Sequence, residues 1–129
     1  MSIHVEIVTP TAVAFAGEAT EVRAPGFLGE FGVLPGHSPF LSVVKPGVVT
    51  VQTSEGEHRF VVGQGFVEAG PDRLVVLTDS FEMAADVDKA AAKALLETSE
   101  KALATADPSG GDFKNAERDA MLARARLAV

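Results

Sequence analysis

No cysteine occurs among the 129 residues. That excludes a disulfide framework, a thiolate metal site and a cysteine nucleophile, and it leaves the compartment unfixed by redox chemistry. Long apolar runs are missing as well. A membrane helix needs ~20 apolar residues, and Glu, Asp or Lys interrupts every hydrophobic run of this chain. Any membrane association is therefore expected to go through a partner, without direct insertion. The start, Met1-Ser2-Ile3-His4-Val5-Glu6, has neither a basic nor an apolar segment, so a cleaved secretory signal is not expected and the chain reads as cytoplasmic.

Positive charge is scarce. The net charge is −7, with −6 from residues 1–85, −2 from residues 86–111 and +1 from residues 112–129. An acidic chain without a Lys/Arg cluster in its first 85 residues lacks the means to neutralise phosphates, so a nucleic-acid partner is set aside. His4, His37 and His58 are far apart in sequence and fit neither H-x-H nor H-E-x-x-H, so no metal ligands are assigned; His4 and His58 read as solvent-facing strand residues. No G-x-x-x-x-G-K-[ST] loop is present, and Gly26, Gly29 and Gly32 precede a strand-like Phe31–Leu34 instead of a helix N-terminus. No nucleophile with a base and an orienting group is found. Catalytic residues, a metal and a resident cofactor are accordingly not expected.

What is present builds a core. Hydrophobic residues make up 47% of the chain, and seven of the eight phenylalanines lie in the first 85 residues. There, short strand-like runs appear at Ile3–Ile7, Glu21–Ala24, Val48–Thr53, His58–Val62, Phe66–Glu68 and Leu74–Leu77, punctuated by turns such as Lys45-Pro46-Gly47 and Gly70-Pro71-Asp72. Many short strands with regular turns predict an antiparallel β-sandwich or flattened barrel.

After Ser80 the composition shifts to alanine, leucine and paired charges. From Val87, residues Ala90, Ala91, Ala94, Leu95, Thr98 and Ala102 recur at helical spacing, with Asp86 as the expected N-cap. Ala106-Asp107-Pro108-Ser109-Gly110-Gly111 cannot continue a helix, so a second helix is expected from near Asp112, with Phe113, Ala116, Ala120, Ala123 and Leu127 on one stripe and Arg118, Leu122 and Arg126 on the other side. The expected fold is thus α+β: a β-sandwich over residues 1–85 and a two-helix hairpin over residues 86–129. An alanine seam buries little area, at roughly 25 cal/mol per Å², so the hairpin is expected to be weakly held and able to leave its resting place.

The densest cluster of backbone-shaping residues is Gly26-Phe-Leu-Gly-Glu-Phe-Gly-Val-Leu-Pro-Gly-His-Ser-Pro39, where four glycines and two prolines form a loop exposing Glu30 and His37. That segment, with Lys45-Pro46-Gly47, the Val5–Pro10 strand start, Gly63-Gln64-Gly65-Phe66-Val67-Glu68 and the alanine-rich hairpin, resembles the epsilon subunit of bacterial F-type ATP synthases across nearly the whole chain.

The resemblance implies a non-catalytic central-stalk subunit that couples gamma to the membrane c ring for proton-driven ATP synthesis, placed peripherally on the cytoplasmic face of the bacterial inner membrane. It implies that Gly29, Glu30, Gly32, Pro35, Gly36 and His37 lie at the gamma and c-ring contact. It implies a hairpin that inhibits ATP hydrolysis when extended into the catalytic head, where Arg118, Arg124 and Arg126 would meet beta carboxylates and Leu122 would join the contact. Some family members bind ATP through Ile/Leu-Asp-x-x-Arg-Ala. Here Val87-Asp88-Lys89-Ala90-Ala91-Ala92 keeps Asp88, with Glu82 upstream, but puts Ala91 where the motif has arginine, so regulatory ATP is not expected. The alternative reading is a free-standing β-sandwich binding domain with a helical appendage. A third, a small metal-dependent β-barrel enzyme, conflicts with the histidine spacing.

Overall fold

The structure, a computed structural model, describes residues 1–129. Ten strands come first: β1 (Ile3–Val8), β2 (Val13–Ala19), β3 (Glu21–Gly26), β4 (Gly29–Val33), β5 (Phe40–Val44), β6 (Gly47–Thr53), β7 (Gly56–Val62), β8 (Gly65–Ala69), β9 (Arg73–Thr78) and β10 (Phe81–Met83). A single 3-10 turn, Ala84–Asp86, leads to helices α1 (Lys89–Thr105) and α2 (Gly111–Ala128). The expected sandwich followed by a helical hairpin is what forms.

The strands follow the order β10-β7-β6-β3-β5-β8-β9-β1-β2, with β4 paired to β3. Neighbours are antiparallel except β1 and β9, which run parallel. β3 and β5 share one residue pair, Gly26 with Val44. The ladder is therefore two leaves hinged at a narrow seam, and their inner faces enclose the core. Strict alternation positions that core: in β1, Ile3, Val5 and Ile7 are fully buried while His4 and Glu6 face outward. Phe60 is buried at the centre, in ring contact with Phe15 and Phe81. Full burial of each large side chain here stabilises by roughly 1.5–3 kcal/mol.

Several sequence expectations shift. The glycine-rich segment is not one loop, because Phe31 packs against the core and Val33 is buried, which pulls Gly29–Val33 into strand β4. His58 is not solvent-facing. It shares the face of Phe60 and lies half-buried beside the rings of Phe15 and Phe60, at 6.1 and 6.4 Å. Phe27 and Phe66 are exposed and take no part in the core.

The helix start is displaced too. Asp86 lies in the 3-10 turn, and the N-cap is Asp88, whose Oδ1 accepts from the Ala91 amide at 3.0 Å. The α1 seam is rotated by about one residue: Ala92 and Ser99 are buried and Leu95 and Leu96 partly so, while Ala90, Ala91, Ala94 and Thr98 are exposed. Alanine occupies so many positions that its spacing fits several faces, and the leucines decide among them. The buried Ser99 hydroxyl is satisfied by the Leu95 carbonyl at 2.7 Å. Between the helices, Asp107 Oδ1 accepts from the amide and hydroxyl of Ser109 at 3.0 and 2.8 Å, closing the turn before α2.

Candidate interaction surfaces

Three surfaces stand out on this scaffold. The first is the end of the sandwich that carries the glycine-rich segment. Gly26 pairs with Gly29 across a tight hairpin whose tip, Phe27-Leu28, projects outward, with Leu28 96% exposed. Lys45 Nζ sits 4.9 Å from the centre of the Phe27 ring. Glu30 is exposed on β4 opposite Pro25 and joins none of the chain's ion pairs.

Beyond β4, Leu34-Pro35-Gly36-His37 forms a turn closed by the His37 amide on the Leu34 carbonyl at 3.2 Å, with Gly36 at φ +84°. Proline followed by a left-handed residue is the pattern of a type II turn, and the glycine meets it without strain. The Gly36 amide also donates to the Pro71 carbonyl at 2.7 Å, tying the turn to the β8–β9 connection. His37 Nδ1 donates to the Ser38 carbonyl at 2.6 Å, leaving Nε2 for a partner. The imidazole lies edge-on to Phe40 at 4.8 Å, and Phe40 meets Phe31 at 5.6 Å. Glu30 and His37 do not touch, and this Phe31–Phe40–His37 chain of rings stiffens the segment between them.

The second surface was missed from the sequence. Register places Val43, Phe66, Leu77, Val8 and Val13 opposite one another across β5, β8, β9, β1 and β2. Their neighbours Val44, Val67, Val76 and Ile7 point into the core, so this row faces out, and Val43, Phe66, Leu77 and Val13 are exposed. The available sign was Leu74-Val75-Val76-Leu77, a run without polar alternation, which marks a strand covered on both faces. Beside the row lies a charged group. His4 Nδ1 bonds Glu18 Oε2 at 2.7 Å, its Nε2 approaches Glu6 at 3.2 Å, and Arg73 reaches Glu6 at 3.5 Å. The bond from Glu18, with help from Glu6, holds the His4 pKa above its ordinary 6.5, and the same bond from His4, with Ser2, holds Glu18 below its ordinary 4.5.

The third surface is the hairpin. α2 packs on α1 and also on β6 and β7, so both sides of α2 are engaged. The side expected to be free instead turns partly towards the sandwich: Arg126 Nε bonds Glu82 Oε1 at 2.6 Å, Leu122 is half-buried, and Arg118 lines a groove and pairs with its neighbour Asp119 at 3.4 Å. Arg124 pairs with Glu100 of α1 at 3.6 Å and is exposed. Glu82 and Asp88, the two residues retained where the nucleotide motif would need them, bond Arg126 and the α1 N-terminus respectively.

Residues 2–84 match the family model described as "ATP synthase, Delta/Epsilon chain, beta-sandwich domain". The chain belongs to this ATP synthase epsilon-chain family. Among relatives named ATP synthase epsilon chain, that of Moorella thermoacetica is 40% identical over 127 residues, covering 98% of this chain and 94% of its own. That of Desulfosudis oleivorans is 44% identical over 103 residues, covering 79% and 77%. The fold superposes with TM-score 0.86 on a chain of the Euglena gracilis mitochondrial ATP synthase, at 17% identity and covering 98% of this chain and 80% of that one. With a chain of the Tetrahymena thermophila mitochondrial ATP synthase central stalk and c ring the TM-score is 0.64, at 12% identity and 98% and 97% coverage. Both likenesses span the hairpin as well as the sandwich. As a member of this family the chain is a non-catalytic subunit of ATP synthase.

Proposed function

We propose that this epsilon-family chain is the rotor element that couples gamma to the c ring, with its sandwich as the coupler and its hairpin as a brake on ATP hydrolysis. The observation that carries the reading is the outward apolar row Val43–Phe66–Leu77–Val8–Val13, which spans five strands and of which only Val43 borders the α2 groove. A contiguous apolar strip on a small acidic chain is a docking surface, and gamma is its occupant in this reading. The glycine-rich end serves the c ring. Glu30 lacks an internal partner and His37 presents Nε2 from a stiffened turn, so both are free to pair with polar or basic ring loops while torque is transmitted; Gly29, Gly32, Pro35 and Gly36 shape the backbone that presents them.

No helix is long and apolar enough to cross a membrane, which fits peripheral attachment to the cytoplasmic face of the inner membrane through these partners. In the extended arm, Arg118, Arg124 and Arg126 would meet carboxylates of the catalytic beta subunits, with Leu122 packing between them. Regulatory ATP has no part in this scheme. Ala91 supplies no cation, Asp88 is spent as a helix cap and Glu82 is paired with Arg126.

The test is ATP hydrolysis by a matching catalytic head stripped of this subunit, titrated with the full chain and with a version ending at Ala85. Both should bind and only the full chain should inhibit. Binding of both without inhibition would leave a coupler alone, and binding of neither would overturn the reading.

A further inference from the structure

The hairpin meets the sandwich unevenly. At the C-terminal end of α2, cations from three elements converge. Arg126 Nε donates to Glu82 Oε1 at 2.6 Å, with the two side chains only 25% and 29% exposed. Arg59 of β7 donates to the Ala128 carbonyl at 3.0 Å, and Lys89 Nζ to the carbonyls of Leu127, at 3.0 Å, and Val129. The last carbonyls of a helix have no intrahelical donors and form the negative end of its dipole, so Arg59 and Lys89 meet an unfilled need there. Lys89 does so from the first turn of α1, where a cation is unfavourable for its own helix. Its position is explained by α2.

The other end of α2 is open. Lys114, Arg118 and Met121 face Phe27, Lys45 and Pro46 across a groove of about 330 Å³, and no hydrogen bond or ion pair crosses it. Glu82 lies two residues before the Ala84–Asp86 turn that carries the chain into α1. The arm is thus clamped at its pivot and loosely seated at its free end.

We infer that Glu82–Arg126 is the latch of the hairpin: the sandwich carboxylate holds the arginine while the arm is docked, and the arginine reaches a carboxylate on a partner protein only once this pair has broken. The consequence within the complex rests on the braking role proposed above, whereas the latch itself is a property of the isolated chain. The two halves of the latch differ in what their loss does. Without Glu82 release is easier and Arg126 remains for the partner. Without Arg126 release is easier, but the partner contact is lost with it.

The experiment has two arms. Amide hydrogen exchange on the isolated full-length chain should show α2 exchanging about fivefold faster in Glu82→Gln and in Arg126→Gln, on the order expected for one partly buried charge-assisted pair. The double variant should gain nothing further, the β-strand amides should not change, and wild-type α2 should move towards the variants as salt rises from roughly 0.05 to 0.5 M. Unchanged α2 exchange in Glu82→Gln, which leaves the helix itself untouched, or additive effects in the double variant, would overturn the latch. In the second arm, inhibition of the stripped catalytic head should strengthen with Glu82→Gln and weaken with Arg126→Gln. Equal inhibition by both alongside the expected exchange result would uphold the latch and refute the hand-over of Arg126 to the partner.

Discussion

Phe60 and Phe66 are the same residue type, six positions apart, on opposite sides of the sandwich wall, so truncating each to alanine separates folding from docking. Phe60 is 2% exposed and touches the rings of Phe15 and Phe81 at 4.9 and 5.0 Å. Phe60→Ala removes a fully buried ring and leaves a cavity, costing about 3–5 kcal/mol, which in a domain of this size lowers Tm by roughly 15–25 °C. Phe66 is 50% exposed in the free chain. An aromatic side chain has roughly 200 Å² to bury, so about 100 Å² of Phe66 awaits a partner. At roughly 25 cal/mol per Å² that is about 2.5 kcal/mol, or a loss of about 70-fold in affinity for gamma on Phe66→Ala. By the same area count the half already buried contributes about 2.5 kcal/mol to folding, without the cavity that Phe60→Ala leaves, so the Tm loss should be the smaller of the two. Titration calorimetry against gamma, paired with thermal denaturation of each variant, measures both quantities. An affinity within twofold of wild type, or a Tm loss for Phe66→Ala matching that of Phe60→Ala, would refute the assignment of this row as a docking face.

Titration of the His4 imidazole by NMR should give a midpoint above 6.5, and Glu18→Gln should lower it. A raised histidine pKa contributes stability that is complete below 6.5 and lost as pH rises through the folded value, while the lowered Glu18 contributes stability present above 4.5 and lost as pH falls through its folded value, so the pair supports the β1–β2 edge best between those limits. Gly65→Ala should block pairing of β8 with β9 and give insoluble protein, because a Cβ there would stand 1.7 Å from the Leu77 carbonyl oxygen; Gly36→Ala, strained only by its φ of +84°, should stay folded and lose about 1 kcal/mol in denaturant unfolding. Asp88→Ala should cost about 1 kcal/mol of α1 stability and raise exchange at residues 89–92, while Asp86→Ala should leave those amides unchanged.

The sandwich was legible because short β-branched runs ended by Gly, Pro and Asp leave few alternatives to an antiparallel layer. Strands β2 (Val13–Ala19) and β5 (Phe40–Val44) were less so. Phe-Ala-Gly-Glu-Ala lacks β-branched residues, and β2 is held by register with β1 instead of by propensity. The helix boundaries misled because Asp86 and Asp88 are both chemically able to cap. Only the extended backbone of Val87, set by the exit from β10, selects the later one. The docking row was hidden by the opposite problem: a phenylalanine or leucine in a strand reads as core, and which leaf face is covered depends on where α2 lies, a long-range fact that periodicity does not carry. Glu82 and Arg126 could not be paired from sequence either, since 44 residues and the whole hairpin separate them.

That pairing also bears on the expectation that the arm is weakly held. The α1–α2 seam rests on Ala92, Ser99, Ala116, Ala120 and Ala123, each of which buries about a methyl group's worth of side chain or less, near 0.8 kcal/mol apiece. Such a seam lets the two helices lie close and move together as a unit. A 2.6 Å charge-assisted hydrogen bond is directional and fixes one docked geometry, which contact between alanines does not. Placing the directional contacts, Arg126 with Glu82 and Arg59 with the Ala128 carbonyl, at the pivot therefore gives an otherwise soft attachment a defined docked state. It also makes ionic strength and any competing carboxylate act on that state directly, because both address the charges and neither addresses the alanines.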